Sequence, residues 1–180
     1  GIKIFGKDGF KLPDAAEEEI EALSREPERL GDRRTGPAIG RAVKLEGGTQ
    51  RLPMIRAILS AEIPVLGHLG LTPQSVNALG GFKVQGRTPK EAKSILADAV
   101  EIQDAGARLL VLECIPSHLA ADISRKLDIP VIGIGAGPDT DGQVLVMHDL
   151  LGLSQHTARF VQNFMEGQST IPDGLRAFVD

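Results

Sequence analysis

The chain has 180 residues, enough for one sizeable core, with a formal net charge of −4 and a pI near 5.6. No basic face or Lys/Arg run is present and both Trp and Tyr are absent, which argues against nucleic acid as a partner. The single cysteine, Cys114, allows no internal disulfide, and no apolar stretch approaches the roughly 20 residues of a membrane span. A globular, cytoplasmic protein is the expectation.

Charged residues are denser before residue 41 than after it. In that first segment residues 2–5 form the one β-rich run. Residues 13–19 read as a helix start, with Pro and acidic side chains in the first turn, and residues 31–37 read as loop. No clear core face emerges, so residues 1–41 are expected to form a divergent charged segment preceding a domain at 42–180.

From Ala42 the pattern changes. Short β-rich runs at 43–45, 63–66, 109–112 and 130–134 alternate with helical patterns. Thr88-Pro89-Lys90-Glu91 makes a capping box with Pro at the first helical position, predicting a helix to about Ala105. Another helix starts at Pro116, with Leu119, Ile123 and Leu127 spaced to share one buried face. A further strand is predicted at 144–147. Continuous apolar strands separated by helices imply parallel βαβ units buried on both faces. The fold class is therefore α/β, and either a doubly wound sheet or a barrel would fit.

Ligands in parallel α/β folds gather at the carboxyl ends of the strands. Four predicted strands end on polar residues: Glu46, His68, Glu113, and the pair His148-Asp149. One such residue can simply turn into solvent or cap the next helix; four in register suggest a site. Lys44 lies two residues before Glu46 and so points to the same strand face. Glu46 precedes Gly47-Gly48, which would let the backbone approach a ligand or metal. Glu113 closes an apolar run and should be partly desolvated, as a general base needs. Cys114 points the other way, toward packing. Gly133-Ile134-Gly135-Ala136-Gly137-Pro138 lacks the third glycine and the helix start of a dinucleotide loop.

Several of these stretches resemble ketopantoate hydroxymethyltransferases. They are Val43-Lys44-Leu45-Glu46-Gly47-Gly48; Gly67-His68-Leu69-Gly70-Leu71-Thr72-Pro73-Gln74 extended through Gly80-Gly81-Phe82-Lys83-Val84-Gln85-Gly86-Arg87; Leu110-Val111-Leu112-Glu113-Cys114-Ile115-Pro116; and Ile132 to Gly137 followed by Asp141 to Asp149. The resemblance covers about residues 42–165. It implies a (β/α)8 TIM barrel of the phosphoenolpyruvate mutase and isocitrate lyase superfamily. It further implies hydroxymethyl transfer from 5,10-methylenetetrahydrofolate to 3-methyl-2-oxobutanoate, giving ketopantoate for pantothenate synthesis. Mg²⁺ as a Lewis acid holding an enolate and a homo-oligomer, a decamer in the family, belong to the same implication. Position by position, Glu113 matches the general base, Glu46 an acidic residue of the metal site, and Lys44 and His68 residues that hold the keto acid. Gly67 and Gly70 would then give His68 room at the substrate mouth.

Residues 1–41 do not resemble the family's first strands, which carry two further metal-binding aspartates and a substrate-contacting serine. Asp8, Asp14 and Asp32 sit in no comparable strand-end context. The expectation is an incomplete barrel of about five parallel strands with flanking helices, catalytically impaired as it stands. The alternatives are a half-barrel binding protein or another keto-acid carbon–carbon lyase of the superfamily.

Overall fold

The computed structural model describes residues 42–179. The strand expected at 2–5, the helix start at 13–19, the loop at 31–37 and the aspartates Asp8, Asp14 and Asp32 lie outside the described residues. The chain divides into two compact units, with residues 42–144 in one and 145–179 in the other.

The first unit is built on five parallel strands: β1 (Val43–Glu46), β2 (Val65–Gly70), β3 (Leu109–Glu113), β4 (Val131–Ile134) and β5 (Gly142–Gln143). Each pairs with the next along the chain, in the sheet order β1-β2-β3-β4-β5. Helix α1 (Leu52–Ser60) connects β1 to β2, α2 (Pro89–Asp104) connects β2 to β3, and α3 (Ser117–Lys126) connects β3 to β4. A doubly wound sheet reverses its strand order once, which places helices on both faces. Here the order never reverses. Ile55 of α1, Ile102 of α2 and Ile123 of α3 join one buried cluster with Val65, Leu110, Leu112 and Val131. All three crossovers therefore cover the same face, which is the winding of a (β/α)8 barrel rather than of a doubly wound sheet. The five strands form an incomplete barrel.

Local chemistry explains these elements. At the start of α2 the Glu91 N–H donates to Thr88 Oγ1 (3.2 Å) and the Thr88 N–H donates to Glu91 Oε2 (3.1 Å), so the predicted capping box is formed. Leu119, Ile123 and Leu127 are all buried, as their spacing requires. Gly67 lets α2 approach the sheet, because a Cβ there would stand 2.7 Å from Ile102 Cγ2 and 3.0 Å from Leu110 Cδ1. That glycine faces the helix, not the substrate mouth, and the expected role is corrected accordingly.

The strand expected at 144–147 is also corrected. Pairing occurs earlier, at Gly142–Gln143, with one further bond from the Val144 N–H to Gly133 O (3.0 Å). Polar side chains set this position. Thr140 Oγ1 donates to Gly142 O, Gln143 Nε2 donates to Gly137 O, and Asp141 Oδ2 accepts from the Val131 N–H (2.8 Å). Val144 and Val146 are exposed at 44% and 40%, so their apolar character does not mark a buried strand.

In the second unit Met147–Leu150 forms a single helical turn, α4, and Ile171–Val179 forms α5. His148 and Asp149 therefore lie in a helix instead of at a strand end. Leu150 and Leu151 are buried, and the Phe164 N–H donates to Leu150 O (2.9 Å). Phe164 meets Phe178 of α5 edge to face, with ring centroids 5.3 Å apart. Among the described residues no helix is long and apolar enough to cross a membrane.

Candidate active site at the carboxyl ends of β1, β2 and β3

Side chains alternate along a strand, so the register decides which residues share a face. Glu46 pairs with His68, His68 with Val111, and Glu113 with Gly70 and Ile134. Lys44, Glu46, His68 and Glu113 thus project from the face opposite α1, α2 and α3. Glu46 and Glu113 are the last residues of β1 and β3. The four residues expected to converge do so.

His68 is the centre of the group and is 1% exposed. Lys44 Nζ lies 3.0 Å from its Nδ1 and 3.3 Å from Glu46 Oε1. Glu46 Oε1 is 3.5 Å from the same Nδ1. On the other side of the ring, Glu113 Oε2 stands 3.2 Å from Nε2. That approach is close in distance but poorly directed, because Nε2 is buried without a hydrogen-bonding partner. The imidazole therefore sits between two carboxylates with one nitrogen engaged and the other left over. The Glu113 side chain is 19% exposed, the partial desolvation that the apolar run predicted.

The segment after β2 meets the Glu46 carboxylate and the main-chain carbonyl of Glu113. The Gln74 N–H donates to Glu46 Oε2 (3.2 Å), a contact the sequence reading missed; the turn signal Thr72-Pro73 was its one trace. Gly70 adopts a φ of +91°, and any Cβ there would collide with Glu113 O. This glycine lets β2 turn away against β3, and the Leu71 N–H donates to Glu113 O (2.8 Å). Gly48 does not open a path to a ligand. The space of its missing Cβ is taken by the Asp98 carboxylate, which accepts from the Thr49 N–H (3.0 Å) and the Thr49 hydroxyl. Asp98 was not singled out because it reads as one more polar residue on a helix.

Cys114 follows Glu113 in a left-handed conformation, φ +49°. Its N–H donates to Ile134 O, and its carbonyl accepts from the Gln85 N–H (both 2.9 Å). Burial pushes the thiol above its ordinary value, and the Glu113 charge pushes it the same way. A thiol held protonated is a poor nucleophile, in keeping with packing. The Gly133–Pro138 stretch leads into no helix; at Gly137 a Cβ would collide with Ser117, so close packing explains that glycine.

Mg²⁺ takes near-octahedral oxygen coordination. Of the two Glu46 oxygens, one faces Lys44 and the other accepts from Gln74, while Glu113 lies beyond the imidazole. Among the described residues no group of three or more His, Cys, Asp and Glu side chains is arranged to hold a metal. By themselves these residues do not fit the ion that the resemblance implies. A cavity of about 500 Å³ opens elsewhere, between Leu79, Lys83, Val84, Gln85, Arg87, Thr88 and Glu91. None of the four clustered residues lines it. The cluster is the candidate site, because polar groups of opposite charge converge on a buried ring there.

The residues of this cluster lie within the part of the chain that is similar to known proteins. A family described as ketopantoate hydroxymethyltransferase matches residues 36–180. A 3-methyl-2-oxobutanoate hydroxymethyltransferase of Methylobacterium sp. (strain 4-46) is 56% identical over 140 residues, 77% of this chain and 49% of the relative. Relatives of the same name from Pseudomonas fluorescens (strain Pf0-1) and Ralstonia pickettii (strain 12J) are 54% and 55% identical. Each match covers 76% of this chain, and 52% and 51% of the relative respectively. The chain spans about half the length of the curated relatives it matches. With the family match extending over most of its residues, the chain belongs to the ketopantoate hydroxymethyltransferase family.

Proposed function

We propose that the protein transfers a hydroxymethyl group from 5,10-methylenetetrahydrofolate to 3-methyl-2-oxobutanoate, forming ketopantoate. The observation that carries this reading is the convergence of Lys44, Glu46, His68 and Glu113 at one sheet end in a member of this family. In the proposed reaction Glu113 takes the C3 proton of the keto acid. Its carboxylate stands beside the buried His68 ring, with Oε2 3.2 Å from Nε2, and a carboxylate within reach of a substrate proton can serve as a general base. Lys44 has three N–H donors; two face His68 and Glu46, which leaves one for the substrate carboxylate. His68 Nε2 is the further donor for the oxygen on which enolate charge develops. Glu46 holds the Lys44 ammonium in place through their ion pair.

Mg²⁺ near Glu46 and the folate co-substrate are part of the proposal, as are self-association, a decamer in the family, and a cytoplasmic location. Among the described residues no group is arranged to hold that ion.

The test separates proton removal from transfer. Exchange of the C3 proton of 3-methyl-2-oxobutanoate in D₂O, and ketopantoate formation with the folate, are measured for the unmodified protein and for Glu113→Gln. The substitution is expected to slow both by about 10²- to 10⁴-fold, the usual share of general base catalysis. Equal rates in the two proteins would remove Glu113 from the role.

A further inference from the structure

We propose that Lys44 is a positioning residue that sets the tautomer of His68, keeping the ring proton on Nε2. An ammonium can only donate, and Lys44 Nζ lies 3.0 Å from His68 Nδ1. That nitrogen must therefore offer a lone pair. A neutral imidazole with a free Nδ1 carries its proton on Nε2, the nitrogen that faces Glu113 Oε2 at 3.2 Å.

The competing arrangement puts the proton on Nδ1 and points it at Glu46. The distances disfavour it. Glu46 Oε1 is 3.5 Å from Nδ1, beyond ordinary hydrogen-bond range, whereas the same oxygen is 3.3 Å from Lys44 Nζ. The lysine thus reaches both the carboxylate and the ring and donates a separate N–H to each. Burial makes the outcome consequential, because water does not reach a ring that is 1% exposed to exchange one tautomer for the other.

Two consequences follow for the proposed site. With its proton on Nε2, His68 donates toward the side where Glu113 stands and cannot accept a proton there. Glu113 is then the one base on that side of the ring. The Nε2–H also lacks an aligned acceptor among the described residues, so it is a buried donor poised for an oxygen placed beside Glu113. Lys44 acts here through His68, in addition to the direct contact proposed above.

The inference deepens the proposed function, but its test needs no activity. The whole chain is labelled with ¹⁵N-histidine, and the ring nitrogens are read by long-range ¹H–¹⁵N correlation at one fixed neutral pH. There are four histidines, and the His68 signals are identified by their loss in His68→Gln. The unmodified protein is expected to show His68 with a protonated Nε2 and an unprotonated Nδ1. Lys44→Arg, which also can only donate, keeps that pattern. In Lys44→Met the proton is expected to move to Nδ1, where Glu46 accepts it, with loss of the unprotonated Nδ1 signal. A protonated Nδ1 in the unmodified protein overturns the proposal, a measurement that does not depend on any variant folding. So does a Lys44→Met spectrum with the original pattern. Neither result bears on whether the protein transfers a hydroxymethyl group, which the exchange and folate assays decide separately.

Discussion

Cys114 shows how tightly single residues are specified around Glu113. Burial is the larger cause that raises its thiol and the neighbouring carboxylate the smaller, and both disfavour the thiolate. The sign is therefore unambiguous: alkylation by iodoacetamide should stay slow through neutral pH and accelerate only beyond the ordinary 9.0. Glu113→Gln removes the second cause and leaves the first. The alkylation profile should then move part of the way down in pH while remaining above the ordinary value. A profile centred near 9.0 in both proteins would mean that neither burial nor charge acts on the thiol. The left-handed conformation at Cys114 was not legible beforehand, because nothing in Glu113-Cys114-Ile115 resembles the Gly or Asn that usually signals it.

The two glycines flanking His68 do different work on β2, and substitution should separate them. Gly67→Ala sets a methyl against Ile102 and Leu110, both side chains that can give way. The expected cost is about 1–3 kcal/mol, the usual range for overpacking. Gly70→Ala meets the backbone carbonyl of Glu113 at a φ of +91°, so neither partner can move without disturbing β3. It should cost more than Gly67→Ala in urea unfolding and should also impair C3 exchange, since Glu113 is displaced. Equal loss of stability with full exchange activity would sink this account. Of the elements, α2 and α3 were legible because Thr88-Pro89-Lys90-Glu91 and the Leu119, Ile123, Leu127 spacing are local signals. The winding was not, because doubly wound and barrel sheets share one alternation of strands and helices; only the strand order separates them. Position 144–147 misled for a related reason. Its apolar residues satisfy the strand pattern, while the real ladder is set by Thr140, Asp141 and Gln143 just before them. At the site, residue types and the strand ends at Glu46 and Glu113 were readable, whereas β2 runs on past His68 to Gly70 and His148-Asp149 end no strand. The Gln74 N–H and the Lys44–His68 contact depend on where the chain folds back.

At the scale of the molecule, the half of a family chain represented here carries one face of a site and, among the described residues, a sheet that ends on β1 and β5. Val43 and Gly47 donate their N–H groups to Pro64 and His68 carbonyls. The backbone groups of Lys44 and Glu46 between them therefore turn to the outer edge of β1, where the described residues place no strand. Across the sheet face opposite the helices, Leu66, Val111 and Ile134 are only half-buried. A buried imidazole, two carboxylates and a lysine are thus assembled, while among the described residues the oxygen ligands of a divalent ion are not. Charge stabilisation is usually the largest single term in catalysis, so a base without it is weak. We predict that these 180 residues expressed alone, with saturating Mg²⁺ and folate, turn over several orders of magnitude below the roughly 1–10³ s⁻¹ of typical enzymes. Exchange of the C3 proton should be slowed less than transfer and should remain measurable, with Glu113→Gln slowing it further. Turnover inside the typical range, abolished by Glu113→Gln, would overturn this. The missing ligands would then have to come from residues outside 42–179 or from a neighbouring copy. The rate per chain on dilution would tell which, since only a site completed by a neighbouring copy loses activity as the copies dissociate.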